Sequence, residues 1–418
     1  MTIGGEEATV QSEQTPFPAA PGRLPRTDRH RVDADSFQAA FGEPLEQALD
    51  LRTWKPGDDF SLILDELRQQ IGQSVEQEGR LYDDIRGIVF PKLATRTHAI
   101  PGAGVYRITP EQLAQTHRGL LLNGGVEACD GTVSIHDALP LTIIRIGVCL
   151  VSYDGKQNKY SQQLFRRDLH LDEGSPVTHL VEMLDRRRDR GGIDINEQWD
   201  ALSELSRRGI MTYAERAVLV QESKAIWRMG HGTPMPVELL SGSGSMELLQ
   251  AGLQVVRDLV ERHRRFVFVP SAPRERDWLT IGQALEPLQF AIVDTMQDRM
   301  QRIVEAAHYY SPFYRDLAQQ FVDTVGPQIV FGLYRVWDAA PAGMFYAHVD
   351  HAAEAALVAM ADSALQRHRG FPLLIDLADR WCQTQFGGDT LRSVAQEAYA
   401  DAGAPYRYLA ERAGRAKG

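Results

Sequence analysis

The sequence predicts an α/β protein: a mixed sheet flanked by helices, with a helical N-terminal region and helical insertions. Three observations point to this class. Three strand-like segments follow one another between residues 124 and 171. After them, amphipathic helical segments alternate with short strand segments as far as residue 271. Finally, 43% apolar and 24% charged residues over 418 positions give an ordinary globular composition with ample material for a core.

In chain order, residues 1–35 are rich in Pro, Gly, Thr and charge without periodicity and are expected to form a flexible tail. Residues 36–118 form a helical N-terminal region, carried by segments such as FSLILDELRQQIGQSVEQ (60–77), with GVYRI (104–108) as a short strand. The remaining domain, 119–418, opens with GGVEACDG (124–131), an apolar strand expected to end at Asp130 and turn on Gly131. LTIIRIGVCLVSY (141–153) is apolar on both faces, which suits a central strand. Asp154-Gly155 opens a turn into the more exposed YSQQLFRRDLHL (160–171). A helical region over 175–229 is broken near GGIDI (191–195). PVELLSG (236–242) is expected as a strand, MELLQAGLQVVRDLVERH (246–263) as an amphipathic helix and RFVFVPS (265–271) as a strand. The rest is mainly helical, with one more strand at IVFGLYRVW (329–337). Three antiparallel strands, helix, strand, helix, strand, helix is the element order of an RNase H-like core.

Composition excludes several classes. A net charge of −11 does not suit a surface that binds nucleic acid everywhere, so such contact must be local or supplied by a partner. The basic clusters RRRDR (186–190), ERHRR (261–265) and RAGRAK (412–417) read first as solvated surface. Cys129, Cys149 and Cys382 form no CxxC pair, which argues against structural zinc and a disulfide framework and fits a reducing, cytoplasmic setting. No segment reaches the roughly 20 apolar residues of a membrane helix, and no signal-peptide pattern is present at the N-terminus.

The chemistry is carried by carboxylates. An aspartate half-buried on a strand needs a partner, because desolvating it unpaired is costly. In MTYAERAVLVQESKAIWRMG (211–230), Val218, Ala225, Ile226 and Met229 share one helical face. Glu222 falls within that stripe and Glu215 one heptad earlier; Glu222 is the preferred partner for Asp130. Carboxylates gathered within a few ångströms repel, and a hard divalent cation, Mg²⁺ or Mn²⁺, is their natural neutraliser. Such ions serve phosphodiester cleavage.

CDGT at Asp130, VQESKA at Glu222, LLSGS at 239–243 and RGFPLLIDLAD (369–379) with PYRYLAERAGR (405–415) together resemble the NurA nuclease family over roughly residues 120–415. The resemblance implies a dimeric, Mn²⁺-dependent nuclease that processes DNA ends with a HerA-type hexameric ATPase translocase, in repair or antiphage defence. It places Asp130 and Glu222 as metal ligands and Asp379 where the family usually offers a histidine. It also places Ser241, followed by Gly242, where the family has an aspartate at a strand end; Glu238 would face the other side of that strand. The alternative is a weakly active or inactive scaffold that docks on the translocase and grips DNA.

Two motifs stand apart. SGSGS (241–245) reads as a turn with Ser245 capping the next helix, or else as an anion seat at a helix start. His348 and His351 bracket Asp350, which is expected to cap a helix start; no third ligand marks a metal site there.

Overall fold

The computed structural model describes residues 34–54, 60–138, 141–154, 160–169, 204–273, 275–307, 309 and 311–406. The tail up to residue 33, the helical expectation over 175–203 with its GGIDI break, the clusters RRRDR and RAGRAK, and most of PYRYLAERAGR lie outside the described residues. The turn begun at Asp154 also leaves them at Gly155. The chain forms two units, Met1–Gln77 and Glu78–Gly418. The first contains α1 (Ala34–Phe41), α2 (Leu45–Leu49) and most of α3 (Phe60–Asp84), which continues into the second.

Among the described residues, the second unit is built on nine strands: β1 (Gly104–Arg107), β2 (Val126–Ala138), β3 (Leu141–Val151), β4 (Tyr160–Leu169), β5 (Trp227–His231), β6 (Phe266–Val269), β7 (Gln289–Thr295), β8 (Ile329–Arg335) and β9 (Gly343–His348). They form one sheet in the order β1-β7-β8-β9-β6-β5-β2-β3-β4. β2 pairs in parallel with β5, and β5 with β6; the other pairs are antiparallel. The segment β4-β3-β2-β5-β6 is the mixed-sheet core expected from the element order, and β9, β8, β7 and β1 extend it.

Parallel neighbours need long crossovers, which helices supply. Before β1 stands α4 (Phe90–Thr95), and after it α5 (Pro110–Thr116). α5 starts with a reciprocal cap between Thr109 and Gln112. Then follow α6 (Glu204–Gln221) before β5, and α7 (Val237–Leu240) and α8 (Met246–Asp258) between β5 and β6. Ser245 caps α8 as expected, accepting from the Leu248 amide at 3.2 Å. α9 (Arg276–Gln283), α10 (Gln297–Ala306), α11 (Pro312–Val325), α12 (Ala352–Ser363), α13 (Leu373–Phe386) and α14 (Gly388–Asp401) complete the described helices.

The period-2 alternation of the strands feeds two cores. Cys129, Phe266 and Phe268 pack on one face with Leu219 of α6 and Val256 of α8. Ala128, Val267 and Val269 pack on the other with Ala359 of α12 and with Leu374 and Ala378 of α13. The sheet centre is therefore dry on both sides, with α6 and α13 on opposite faces of β2.

Several expectations change. β2 does not end at Asp130 but continues through Gly131, which pairs with Val148. Gly131 has no positive φ. A Cβ there would lie 2.7 Å from Met211 Cγ and 2.8 Å from Glu215 Oε1, so the glycine lets α6 approach the strand rather than making a turn. PVELLSG is not a strand: its core is the short helix α7, with Leu239 and Leu240 buried. The strand in that slot is β5, whose residues WRMG fall at the end of the expected helical segment 211–230.

Tertiary capping explains that boundary. Glu127 Oε2 accepts from Ser223 Oγ at 2.7 Å, from the Lys224 amide at 2.9 Å and from the Ala225 amide at 3.2 Å. Arg228 donates to the carbonyls of Leu219 at 2.9 Å and Ser223 at 3.0 Å, satisfying the open end of α6. β7 and β9 were also read as helical territory. Short apolar runs buried on both faces give no periodicity to separate strand from helix.

Candidate metal centre

Asp130 lies at the fifth position of β2 and is 4% exposed. Its Oδ1 accepts from the Gly131 amide at 2.9 Å and faces His231 Nδ1 at 3.4 Å. His231 is the last residue of β5, the parallel neighbour of β2, and Gly232 follows it at φ +83°. A Ser271 Oγ lies 2.9 Å from the other ring nitrogen, and the Ser271 amide donates to it at 3.4 Å. These contacts leave Nδ1 as the proton-bearing nitrogen toward Asp130.

Glu215 reaches the same place from α6 and is 5% exposed. Its Oε2 accepts from Arg216, the adjacent residue. Arg216 is itself 2% exposed, and it donates to the carbonyls of Thr212 at 3.1 Å, Thr233 at 2.6 Å and Pro234 and His231 at 3.3 Å. Its guanidinium lies 5.2 Å from the centre of the Phe268 ring. This side chain thus ties α6 to the loop after β5 and holds a positive charge against Glu215. Asp379 comes from α13 on the opposite face, where both its oxygens accept from Gln383, at 2.8 and 3.0 Å.

The ionisation of these groups records their mutual proximity. Burial pushes Glu215 up to about 7; Arg216 opposes the shift and the Asp130 charge adds to it. Burial alone would lower His231, but its hydrogen bond to Asp130 and the charges of Asp130 and Glu215 hold it above its ordinary value. Asp379 is raised, first by burial and then by Asp130, against the opposing Gln383 hydrogen bond and His231. Asp130 is thus the group whose charge is felt by Glu215, His231 and Asp379, and Arg216 is the cation paired with Glu215.

Oxygen donors with one imidazole suit a hard divalent cation such as Mn²⁺ or Mg²⁺. Among the described residues, no three His, Cys, Asp or Glu side chains are close enough as they stand to enclose an ion. The fit is therefore one of donor type and location, with Glu215 turned toward Arg216.

Glu222 takes no part in this cluster. It follows the last residue of α6, is exposed, and lies near Tyr160, whose hydroxyl burial and then the Glu222 charge push up. Seven helical residues separate it from Glu215, about 10 Å along the axis. In the structure the Asp130 charge acts on Glu215 and on Asp379. Ser241 is also displaced: it closes α7, with its hydroxyl donating to the Val237 carbonyl at 2.6 Å. The strand end followed by glycine is His231-Gly232, and the signal that could have found it is the HG pair closing WRMGHG. Glu238, on α7, pairs with Arg208 at 3.5 Å. Asp350 does not cap a helix; His348 Nδ1 accepts from the Asp350 amide at 3.1 Å instead.

Among solved structures, the NurA nuclease from Sulfolobus solfataricus is similar to this chain at a TM-score of 0.44 and 10% identity, over 82% of this chain and 98% of that one. A NurA structure with manganese matches at 0.35 and 9%, over 73% and 93% of the two chains. One bound to dAMP and manganese matches at 0.33 and 8%, over 74% and 92%. No protein-family model matches the sequence, and no curated protein matches it significantly.

Proposed function

We propose that the chain is a divalent-metal-dependent DNA nuclease, with Asp130, Glu215, His231 and Asp379 as the residues that would hold the metal. The observation that supports this reading is the buried Asp130 of β2 facing His231 of β5 at 3.4 Å, with Glu215 of α6 and Asp379 of α13 near enough for the Asp130 charge to act on both. The Asp130 charge raises the proton affinity of Glu215 and Asp379, which is the electrostatic condition a cation relieves. When bound, the ion supplies an activated water and charge stabilisation for phosphodiester hydrolysis.

The chain's own side chains do the rest. Arg216 pairs with Glu215, opposing the rise that burial imposes on it, and fixes the loop that carries His231. His231 sets its Nδ1 3.4 Å from Asp130 Oδ1. Gln383 fixes the Asp379 carboxylate by donating to both its oxygens.

Within this reading the protein is a homodimer that works on DNA with a HerA-type hexameric translocase. Both partners come from the sequence resemblance to the NurA family over roughly residues 120–415. A net charge of −11 is consistent with DNA delivered by a partner, since unaided binding depends on neutralising phosphates. No described helix is long and apolar enough to cross a membrane.

The test is degradation of linear DNA with Mn²⁺ or Mg²⁺, with and without the translocase. Wild type should cleave, while EDTA or Asp130→Asn should abolish cleavage. Stable complex formation without cleavage by wild type would replace the nuclease with the scaffold.

A further inference from the structure

Beside the acidic cluster lies a cleft of about 250 Å³. Pro270, Pro341 and Phe371 wall it, and Ser271, His368 and Arg369 contribute its polar lining. It adjoins the proposed metal centre through two contacts of His231: Ser271 Oγ at 2.9 Å and the edge of the Phe371 ring at 6.1 Å between centroids. Whatever fills the cleft therefore lies one side chain away from Asp130.

The chemistry of the walls limits the occupant. The volume falls below the roughly 300–1,000 Å³ of sites for drug-sized molecules, so the cleft suits one ring system rather than a duplex. Phe371, 8% exposed, contributes the edge of an aromatic ring of the kind on which bases stack irrespective of sequence, and the proline rings extend the apolar wall. His368 and Arg369 are exposed, with Arg367 preceding them. The Arg369 guanidinium lies 5.4 Å from the Phe371 ring centre and pairs with Asp376, which fixes the cation in place at the rim while offsetting part of its charge. Flat apolar walls beneath a basic rim match a nucleobase with its phosphate outside.

We propose that this cleft, between the loop after β6 and the turn before α13, seats one unstacked base of a DNA strand next to the bond being cut. The inference rests on the nuclease reading and specifies its substrate. A base paired and stacked within a duplex cannot enter, so the site selects a single strand or a frayed end.

Binding of a 5′-fluorescein-labelled single-stranded oligodeoxynucleotide, measured by anisotropy in EDTA, tests the inference without relying on cleavage. The double variant His368→Ala/Arg369→Ala changes two exposed residues and should bind about tenfold more weakly. Arg315→Ala, an exposed arginine on α11, should bind as wild type does. The same oligonucleotide carrying 5-iododeoxyuridine should photocrosslink to the peptide containing Phe371. A crosslink mapping outside residues 269–273, 341–343 and 368–371, or unchanged affinity in the folded double variant, overturns the base seat. Metal-dependent cleavage with either of those results would leave the nuclease standing without the cleft. Cleft binding with no cleavage would do the reverse.

Discussion

His231 Nδ1 stands 3.4 Å from Asp130 Oδ1, joining the end of β5 to the middle of β2 across a parallel strand pair. This contact links a raised imidazole to the central carboxylate. A histidine raised in the folded state stabilises the fold below its unfolded value of 6.5, and that contribution is lost as pH rises through the folded value. In metal-free protein, nuclear magnetic resonance titration of the histidine rings should find His231 titrating above 6.5, and Asp130→Asn should lower it. An unmoved His231 in the variant would mean that Asp130 does not govern it.

The fit of α6 against β2 depends on Gly131. A methyl group there meets Met211 Cγ at 2.7 Å and Glu215 Oε1 at 2.8 Å. Gly131→Ala should destabilise the fold by about 1–3 kcal/mol, the usual range for an overpacked core. It should also push Glu215 from its place, so activity should fall by more than the unfolded fraction accounts for. Urea denaturation beside specific activity checks both; an unchanged midpoint would show that the helix stands off the strand.

Asp362 anchors the start of the helix that carries Asp379. It is fully buried, its Oδ1 accepts from Tyr153 Oη at 2.6 Å, and its Oδ2 accepts from the Leu374 amide at 2.8 Å. Burial raises it to about 6; the two hydrogen bonds oppose the shift, and Asp376 adds to it. Between 3.8 and about 6 the folded chain holds a proton that the unfolded chain has released, so stability falls as pH rises through that window. The loss is complete above about 6 and amounts to about 3 kcal/mol. Asp362→Asn should flatten this slope at a cost of about 1–3 kcal/mol, because one acceptor becomes a donor facing the Leu374 amide. Denaturation curves across the window decide; an equal slope in wild type and variant would exclude Asp362 as its source.

The sheet core was legible because strand order follows element order, and alternation in β2, β3 and β4 survives in the sequence. Asp130 was legible for the same reason: a carboxylate in an apolar strand is conspicuous, though its strand was expected to stop there. Asp379 entered through the RGFPLLIDLAD motif. Glu215 and Glu222 are one heptad apart and share a face in the sequence, so periodicity could not choose between them. What separates them is the end of α6, set by Glu127 from a strand distant in sequence and by Arg228 from the strand that follows. The same capping hid most of β5, up to Gly230, inside an apparent helix.

Glu215 against Glu222 is therefore the choice on which the proposed site turns. Both can be changed to glutamine, keeping shape while removing charge. The most direct measurement is Mn²⁺ binding by calorimetry together with Mn²⁺-dependent degradation of linear DNA, for wild type, Glu215→Gln and Glu222→Gln. Loss of one charge-assisted contact should weaken Mn²⁺ binding by about tenfold or more in Glu215→Gln and abolish cleavage, with Glu222→Gln matching wild type in both. Full activity and metal affinity in a folded Glu215→Gln, or their loss in Glu222→Gln, would contradict the site described at the junction of β2, α6, β5 and α13.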